Sequence, residues 1–178
     1  MQRFLLFFFV AVCLMACENE PSPRPKGYFK IDFPERAYRA FDTVGYPYQF
    51  EYPQYARVVK DSIFFDDAPE SPYWINIDFP AFHARLYISY KSIGAIHRFD
   101  KLVEDAFKMT SKHSLKATSI TETPVHFSEG VDGFVFEVGG NAATSTQFFL
   151  TDSTKHFLRG ALYFDASPNA DSLKPVND

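Results

Sequence analysis

Hydrophobic and polar residues alternate along most of the chain, and a period of two is typical of β-strands with one buried face. Prolines and short polar segments separate the alternating runs. Consecutive runs are therefore expected to pair as antiparallel hairpins, most clearly 73–79 with 84–91 and 146–150 with 156–164. The pattern predicts strands over 28–34, 46–55 with a continuation over 56–65, 73–79, 84–91, 116–127, 133–138, 146–150 and 156–164.

One segment departs from this alternation. Between Gly94 and Met109 the apolar residues recur every three or four positions, which predicts an amphipathic helix. Ser92 is a candidate cap near its start, and residues 167–173 indicate a second helix start. About seven or eight strands around one central helix favour an α+β fold, a mostly antiparallel sheet with one main packed helix. This order resembles the domain shared by the photosystem subunit PsbP and the nuclear-import factor Mog1.

The N-terminus is typical of a secretory signal. Arg3 precedes an unbroken apolar run from Phe4 to Leu14, which is shorter than the roughly 20 residues of a membrane-spanning helix. The run ends in Leu14-Met15-Ala16-Cys17, which resembles the bacterial lipobox. That resemblance implies cleavage before Cys17 and acylation of this residue, with palmitate as a characteristic acyl group. The alternatives are a cleaved signal with an incidental cysteine and an uncleaved anchor.

These features divide the chain into three parts. We predict a signal peptide over 1–16, a proline-rich tether over 17–26 and a single α+β domain over 27–178. The tether is charged and nearly free of apolar residues, so it is expected to be solvated and extended. We expect a membrane-anchored lipoprotein of the cell envelope that faces the periplasm. Glu18 and Glu20 leave the choice between inner and outer membrane open.

Composition narrows the classes of function. The chain has 178 residues and a net charge of −4, which argues against an electrostatic nucleic-acid binder. Both cysteines precede residue 18, so the folded domain is expected to contain no disulfide, zinc–thiolate site or cysteine nucleophile. Aromatic residues form 18% of the chain, so core and interfaces should be rich in rings.

The sequence contains no convincing catalytic motif. Its five histidines show neither HxH nor HExxH spacing, and no GxSxG elbow is present. Asp152, Ser153 and His156 could be imagined as a triad, but residues this close on adjoining strands favour turn chemistry. We therefore predict a protein that is not an enzyme and that has no metal or cofactor.

The alternating aromatic segments have two interpretations. They form the buried face of a sheet, or they line a groove that stacks on sugars or binds peptides. Core packing is the favoured interpretation. Tyr46, Tyr55 and Tyr73 lie toward the polar side of their runs and are the candidate residues for a partner interface.

Several strings of residues together resemble one known family. They are PKGYFKIDFPE (25–35), YWINI (73–77), ISYK (88–91), GNAATSTQFFLTDS (140–153) and KHFLRGALYF (155–164). They resemble the gliding-motility lipoprotein D family, GldD, of Bacteroidota. The resemblance implies a lipid-anchored protein that is required for gliding, with envelope proteins of the gliding and type IX secretion machinery as partners. The resemblance also implies a further terminal helix after the segment at Pro175-Val176, so we expect that this helix is either lost here or truncated at Asp178.

Two hypotheses about function follow. The first is a non-enzymatic component or assembly factor of the gliding and type IX secretion apparatus, anchored to membrane lipid through Cys17. The second is an envelope protein that binds or hydrolyses glycan or peptide. The lack of a metal, thiol or triad motif favours the first hypothesis.

Overall fold

The computed structural model describes Gly27 and residues 30–60, 70–127 and 130–177. The predicted signal peptide, the tether and Cys17 lie outside the described residues. Residues 31–178 make up one compact unit. Its elements are β1 (Tyr38–Phe41), β2 (Phe50–Pro53), β3 (Arg57–Lys60), β4 (Ile75–Phe79), β5 (Ala84–Ser92), α1 (Phe99–Ser111), β6 (Ala117–His126), β7 (Asp132–Gly140), β8 (Thr144–Thr151), β9 (His156–Phe164) and α2 (Ala170–Asn177).

In the described part of the chain, the strands form two antiparallel sheets. Seven strands lie in the order β3-β4-β5-β9-β8-β7-β6, and β1 pairs with β2 in a second sheet. The largest break in sequence order is at β5 and β9, which pair over their full lengths from Ala84–Phe164 to Ser92–His156. A mostly antiparallel sheet with one main helix confirms the predicted α+β class.

Most predicted elements are present with shifted ends. The hairpins β4–β5 and β8–β9 form as the alternation indicated. A 3-10 turn over Pro80–Phe82 joins β4 to β5. The predicted second helix start becomes α2, which begins at Ala170. Strand β7 continues through Gly140, two residues beyond the predicted end at residue 138.

The predicted start of the main helix is wrong. Ser92 is the last residue of β5, and α1 begins at Phe99 after Arg98, which makes no side-chain capping hydrogen bond. The intervening backbone is used in a turn: Ile93 donates its N–H to the Lys155 carbonyl at 2.8 Å, and Gly94 donates to the His97 carbonyl at 2.9 Å. The first bond joins the segment to the β8–β9 loop and the second closes a local turn, and periodicity reveals neither of them.

The sequence pattern also fails in two places at the start of the domain: it predicts one strand that does not form and misses another. Residues 30–34 of the predicted strand 28–34 have no regular secondary structure, and Pro34 removes one donor that a sheet ladder needs. Strand β1 was not predicted, because its sequence YRAF is short and three of its four residues are exposed. It is held by Phe41, whose ring stacks on Phe50 with centroids 4.9 Å apart.

Different elements cover the two faces of the large sheet. On one face, Phe41 and Tyr52 of the β1–β2 hairpin pack in a cluster with Ile75, Ile77 and Ile88. Alternate side chains of a strand point to opposite faces. The register therefore places Phe136, Phe149 and Phe157 on the other face, where Leu102 and Ala106 of α1 pack on them.

Two glycines allow close approaches within the sheet. Gly160 pairs with Phe148, and a Cβ atom at Gly160 would lie 2.3 Å from the Phe148 ring. At Gly133 a Cβ atom would lie 1.9 Å from the carbonyl oxygen of Phe149. A ring can rotate away, but the Phe149 carbonyl belongs to the ladder between β7 and β8. Gly133 is therefore the stricter requirement for glycine.

Substitution of Gly133 tests this packing. We expect Gly133→Ala to lower the free energy of unfolding by about 3 kcal/mol, because strand backbone must move to admit the methyl group. Gly94→Ala is the matched control, since nothing lies within 4 Å of a Cβ atom at Gly94. Denaturant unfolding of the purified protein measures both variants. Equal stability of the two would contradict the described register of β7 and β8.

Candidate functional site

A groove lies between helix α1 and the sheet face that α1 covers in part. Helix α1 packs toward β7, β8 and β9, and the groove opens beside it over β5 and β9. Its volume is about 740 Å³, within the range of sites for small molecules and short peptides. We call it the α1 groove; it is lined by Glu70, Trp74, Tyr87, Ile88, Ser89, Lys91, Leu102, Asp105, Ala106, Met109, Phe157, Arg159, Ala161 and Tyr163.

The alternation of β5 explains why the groove forms. Leu86, Ile88 and Tyr90 point to the face covered by the β1–β2 hairpin, so Arg85, Tyr87, Ser89 and Lys91 point to the face of α1. These long polar side chains cannot form a dry core with a helix without burying charge. The sheet thus has a polar and aromatic surface beside α1.

Arg159 contributes a half-buried cation to the groove. It pairs with Ser89 across β5 and β9, and its Nη2 donates a hydrogen bond to Oε1 of the buried Gln147. Burial lowers the pKa of the Arg159 guanidinium, but an arginine still keeps its proton at neutral pH. Among residues 30–60, 70–127 and 130–177, no carboxylate forms an ion pair with Arg159.

The support behind Arg159 is polar and buried. Thr110 of α1 donates to Ala106 O at 3.1 Å and to Gln147 Oε1 at 3.4 Å. Within the described residues, Gln147 Nε2 is buried without a hydrogen-bond partner. Burial and the Arg159 charge lower the pKa of His113, which favours its neutral form at pH 7. The aromatic core therefore contains a cluster of polar side chains. Their contacts give them one structural role, which is to position Arg159.

An ion-pair cluster lies on the groove wall at Glu70 and Lys91. Glu70 accepts from Lys91 Nζ at 2.8 Å and from His97 Nε2 at 2.9 Å. The hydrogen bond from Lys91, aided by that from His97, lowers the pKa of Glu70. The carboxylate is about half exposed, so the cluster adds little to stability. Its effect is to join the segment at residue 70 to β5 and to the turn before α1.

Rings form another part of the groove wall. Tyr87 and Tyr163 meet edge to face with centroids 5.6 Å apart. Tyr87 is 36% exposed, and Met109 on α1 is 43% exposed. These apolar groups flank Arg159 and present surface that a ligand with an apolar body would cover.

The three predicted interface tyrosines are half-buried and do not line the α1 groove. Tyr46 and Tyr73 lie together, with ring centroids 5.8 Å apart. Tyr48 lies beside them, and its hydroxyl donates to the Tyr73 carbonyl. Tyr55 is elsewhere and contacts the rings of Phe79 and Phe82. The structure thus brings two of the three tyrosines together, and an interface role for them stays a prediction.

The rejected triad is a turn, as the sequence indicated. Asp152 Oδ1 accepts the backbone N–H groups of Thr154, Lys155 and His156 at 2.8–3.0 Å. The Nδ1 of His156 is hydrogen-bonded to the Tyr90 hydroxyl at 2.7 Å. Ser153 has a φ of 61°, which fits a tight turn. Asp152 and His156 therefore hold the β8–β9 loop and the adjoining face of β5.

The described ranges of the chain contain no group of three or more His, Cys, Asp or Glu side chains that could hold a metal ion. Neither helix described here combines the length and the apolar character that crossing a membrane requires.

The sequence contains two features that point to the α1 groove. The period-two pattern placed Arg85, Tyr87 and Ser89 on one side of the predicted strand 84–91. Arg159 was visible as a lone cation within the apolar run FLRGALYF. Long-range pairing of β5 with β9 brings these positions together, and local periodicity does not predict such pairing.

The fold and the groove define the class of protein: an α+β domain with a ligand-sized groove that contains a half-buried arginine. The chain belongs to the gliding motility lipoprotein GldD family, whose model matches residues 18–178. Family membership makes it a lipoprotein of the cell envelope, anchored to a membrane and associated with gliding motility.

Comparison with other proteins adds one fold likeness. No curated protein matches the sequence significantly. The solution structure of cyanobacterial PsbP (CyanoP) from Synechocystis sp. PCC 6803 is similar over 85% of this chain and 93% of that chain, with 11% identity and a TM-score of 0.43. The element order suggested a resemblance to PsbP, and a likeness at this level carries no argument about this chain.

The Asp152 turn supplies a prediction about pH dependence. Burial alone would raise the pKa of Asp152. The hydrogen bonds from the backbone N–H groups of His156, Lys155 and Thr154 outweigh this effect, so the pKa of Asp152 lies below the usual range of an aspartate. A carboxyl group whose pKa is lower in the folded than in the unfolded state stabilises the fold at pH values above its unfolded pKa of ~4. This contribution is lost progressively as the pH falls from there toward the folded pKa. We expect Asp152→Asn to lower the free energy of unfolding by about 1–2 kcal/mol at neutral pH.

The difference between wild type and Asp152→Asn should shrink as the pH is lowered to about 2.5, because the carboxyl group takes up a proton in the unfolded chain near pH ~4 while the folded carboxyl stays ionised to a lower pH. Denaturant unfolding at both pH values measures it. Asp42→Asn, at an exposed position, is the control and should show no such dependence. A constant difference at both pH values would contradict the assigned role of the charge.

Proposed function

We propose that this protein is a non-enzymatic component or assembly factor of the gliding and type IX secretion apparatus. It is held on the periplasmic side of a membrane by acyl chains on Cys17. The observation that carries the proposal is the family match, which begins at the residue after Cys17 and extends to residue 178. A lipobox in front of a family-wide domain supports anchoring as part of the function.

The non-enzymatic role is supported by how candidate catalytic groups are used. Asp152 binds backbone N–H groups of its own turn, and His156 contacts Tyr90. These contacts give each group a structural role. The α1 groove has the form of a binding site, with one cation, rings and an apolar wall.

The groove also supports a second candidate function, an envelope protein that binds peptide or glycan. Trp74 and Tyr87 line it, and such rings are common in binding surfaces. The two functions differ in what loss of the protein does. A component of the apparatus is needed for movement and secretion, whereas an independent binding protein is not.

Deletion of the gene in its host tests the proposal. We expect loss of single-cell movement on glass together with loss of secreted protein in the same cultures. A wild-type copy should restore both. Intact movement and intact secretion in the deletion strain would contradict the proposal and favour the independent binding protein.

Complementation with cysteine variants tests the anchor. We expect a Cys17→Ser copy to take up no labelled palmitate and to restore neither movement nor secretion. Anchoring through two or more acyl chains is stable, and its loss would release the domain from the membrane. Cys13→Ser is the matched control, because Cys13 lies inside the apolar run and should restore both. Normal gliding with the Cys17→Ser copy would show that the anchor is dispensable.

A further inference from the structure

The α1 groove contains a cation that the described residues leave without an anion. Arg159 is half-buried and is held by Gln147. The other charged residues that line the groove differ from Arg159 in their surroundings. Lys91 is paired with Glu70 at 2.8 Å, and Asp105 is exposed on α1. A partly desolvated guanidinium gains most from a carboxylate or phosphate, which it binds in a bidentate manner. The missing element at Arg159 is therefore an anion.

The groove limits the charge of that anion. Asp105 is a carboxylate on its wall and would repel a multiply charged anion, whereas the charge of Glu70 is offset by Lys91. A phosphorylated or polyanionic ligand is thus a poor match. A single carboxylate can reach Arg159, while Asp105 stays available as an acceptor for N–H groups.

The walls limit the body of the ligand. Leu102, Met109 and Phe157 form an apolar wall, and Tyr87 and Tyr163 form another. A ligand must therefore have apolar groups beside its carboxylate. A fatty acyl chain would cover Ser89 and Asp105 with hydrocarbon and leave them without hydrogen bonds, which is costly. A peptide supplies apolar side chains and also the backbone N–H and C=O groups that these residues need.

From this arrangement we infer that the α1 groove binds an extended peptide segment of a partner protein, in which one Glu or Asp flanked by apolar residues pairs with Arg159. The inference rests on the proposed partner-binding role and adds the chemistry of the partner. Gln147 and Thr110 act as positioning residues, because they hold the guanidinium in the groove. Tyr87 and Met109 become buried when the peptide binds.

Direct binding of capped peptides tests the inference. The probes are fluorescently labelled hexapeptides, blocked at both ends, with apolar flanks and a central Glu, Asp or Gln, presented to the full lipoprotein in phospholipid nanodiscs. We expect the acidic peptides to bind at least tenfold more tightly than their Gln counterparts, because only the carboxylate pairs with Arg159. Fluorescence anisotropy measures the dissociation constants.

Substitutions then locate the binding site. Arg159→Gln should remove the preference for Glu over Gln, while Arg36→Gln, with the same charge change at an exposed coil position, should keep it. Met109→Glu places a carboxylate on the groove wall at an exposed helical position. It should weaken binding of the Glu peptide at least tenfold, and it provides the test even if Arg159→Gln does not fold.

Three results would overturn the inference. One is that no peptide of the set binds, another is equal binding of Glu and Gln peptides, and the third is that decanoate binds with the same dependence on Arg159 and displaces the peptide. The binding assay is independent of the deletion strain. Absence of peptide binding with loss of gliding would overturn only this inference, and peptide binding with intact gliding and secretion would overturn only the apparatus role.

Discussion

The pairing of β5 with β9 is the constraint on which the rest of the structure depends. It joins two sets of hairpins across more than sixty residues, from Ala84–Phe164 to Ser92–His156. Because side chains alternate between faces, one register assigns every residue of both strands to the hairpin side or to the helix side. A slip of β5 by one residue would turn Ile88 toward α1, and a slip of β9 by one residue would turn Arg159 into the cluster under the β1–β2 hairpin. Hydrophobic burial on both faces opposes that slip.

The two coverings of the sheet are incomplete in different ways. The β1–β2 hairpin packs its rings on β4 and β5, and Phe41 and Tyr52 are buried there. Helix α1 packs on Phe136, Phe149 and Phe157 and leaves the polar surface of β5 open. A groove beside a helix is thus a consequence of placing arginine, tyrosine and serine on one face of a central strand. The binding surface and the core are two products of the same alternation.

Polar residues in the core indicate that the surface around Arg159 is a binding site and not a packing defect. Gln147 and Thr110 are buried among aromatic side chains, where apolar residues of similar size would pack without the cost of unpaired donors. Thr110 and Arg159 both donate hydrogen bonds to Oε1 of Gln147. A lipoprotein of the gliding-motility family therefore has, on the face of its central strands, a prepared site for an anion. This gives the family a concrete surface on which partner binding can be measured.

The amino-acid sequence alone determined the lipobox, the α+β class, the hairpins β4–β5 and β8–β9 and the turn at Asp152, because each depends on neighbouring residues or on strict periodicity. The tertiary structure decided what depends on distant segments. Strand β1 exists because Phe41 finds Phe50, and α1 begins late because Ile93 and Gly94 are held in a turn. Arg159 becomes part of a groove only through the pairing with β5. Local sequence patterns indicate which residues of one strand or helix share a face. The free energy of long-range pairing and packing decides which of these faces contact each other.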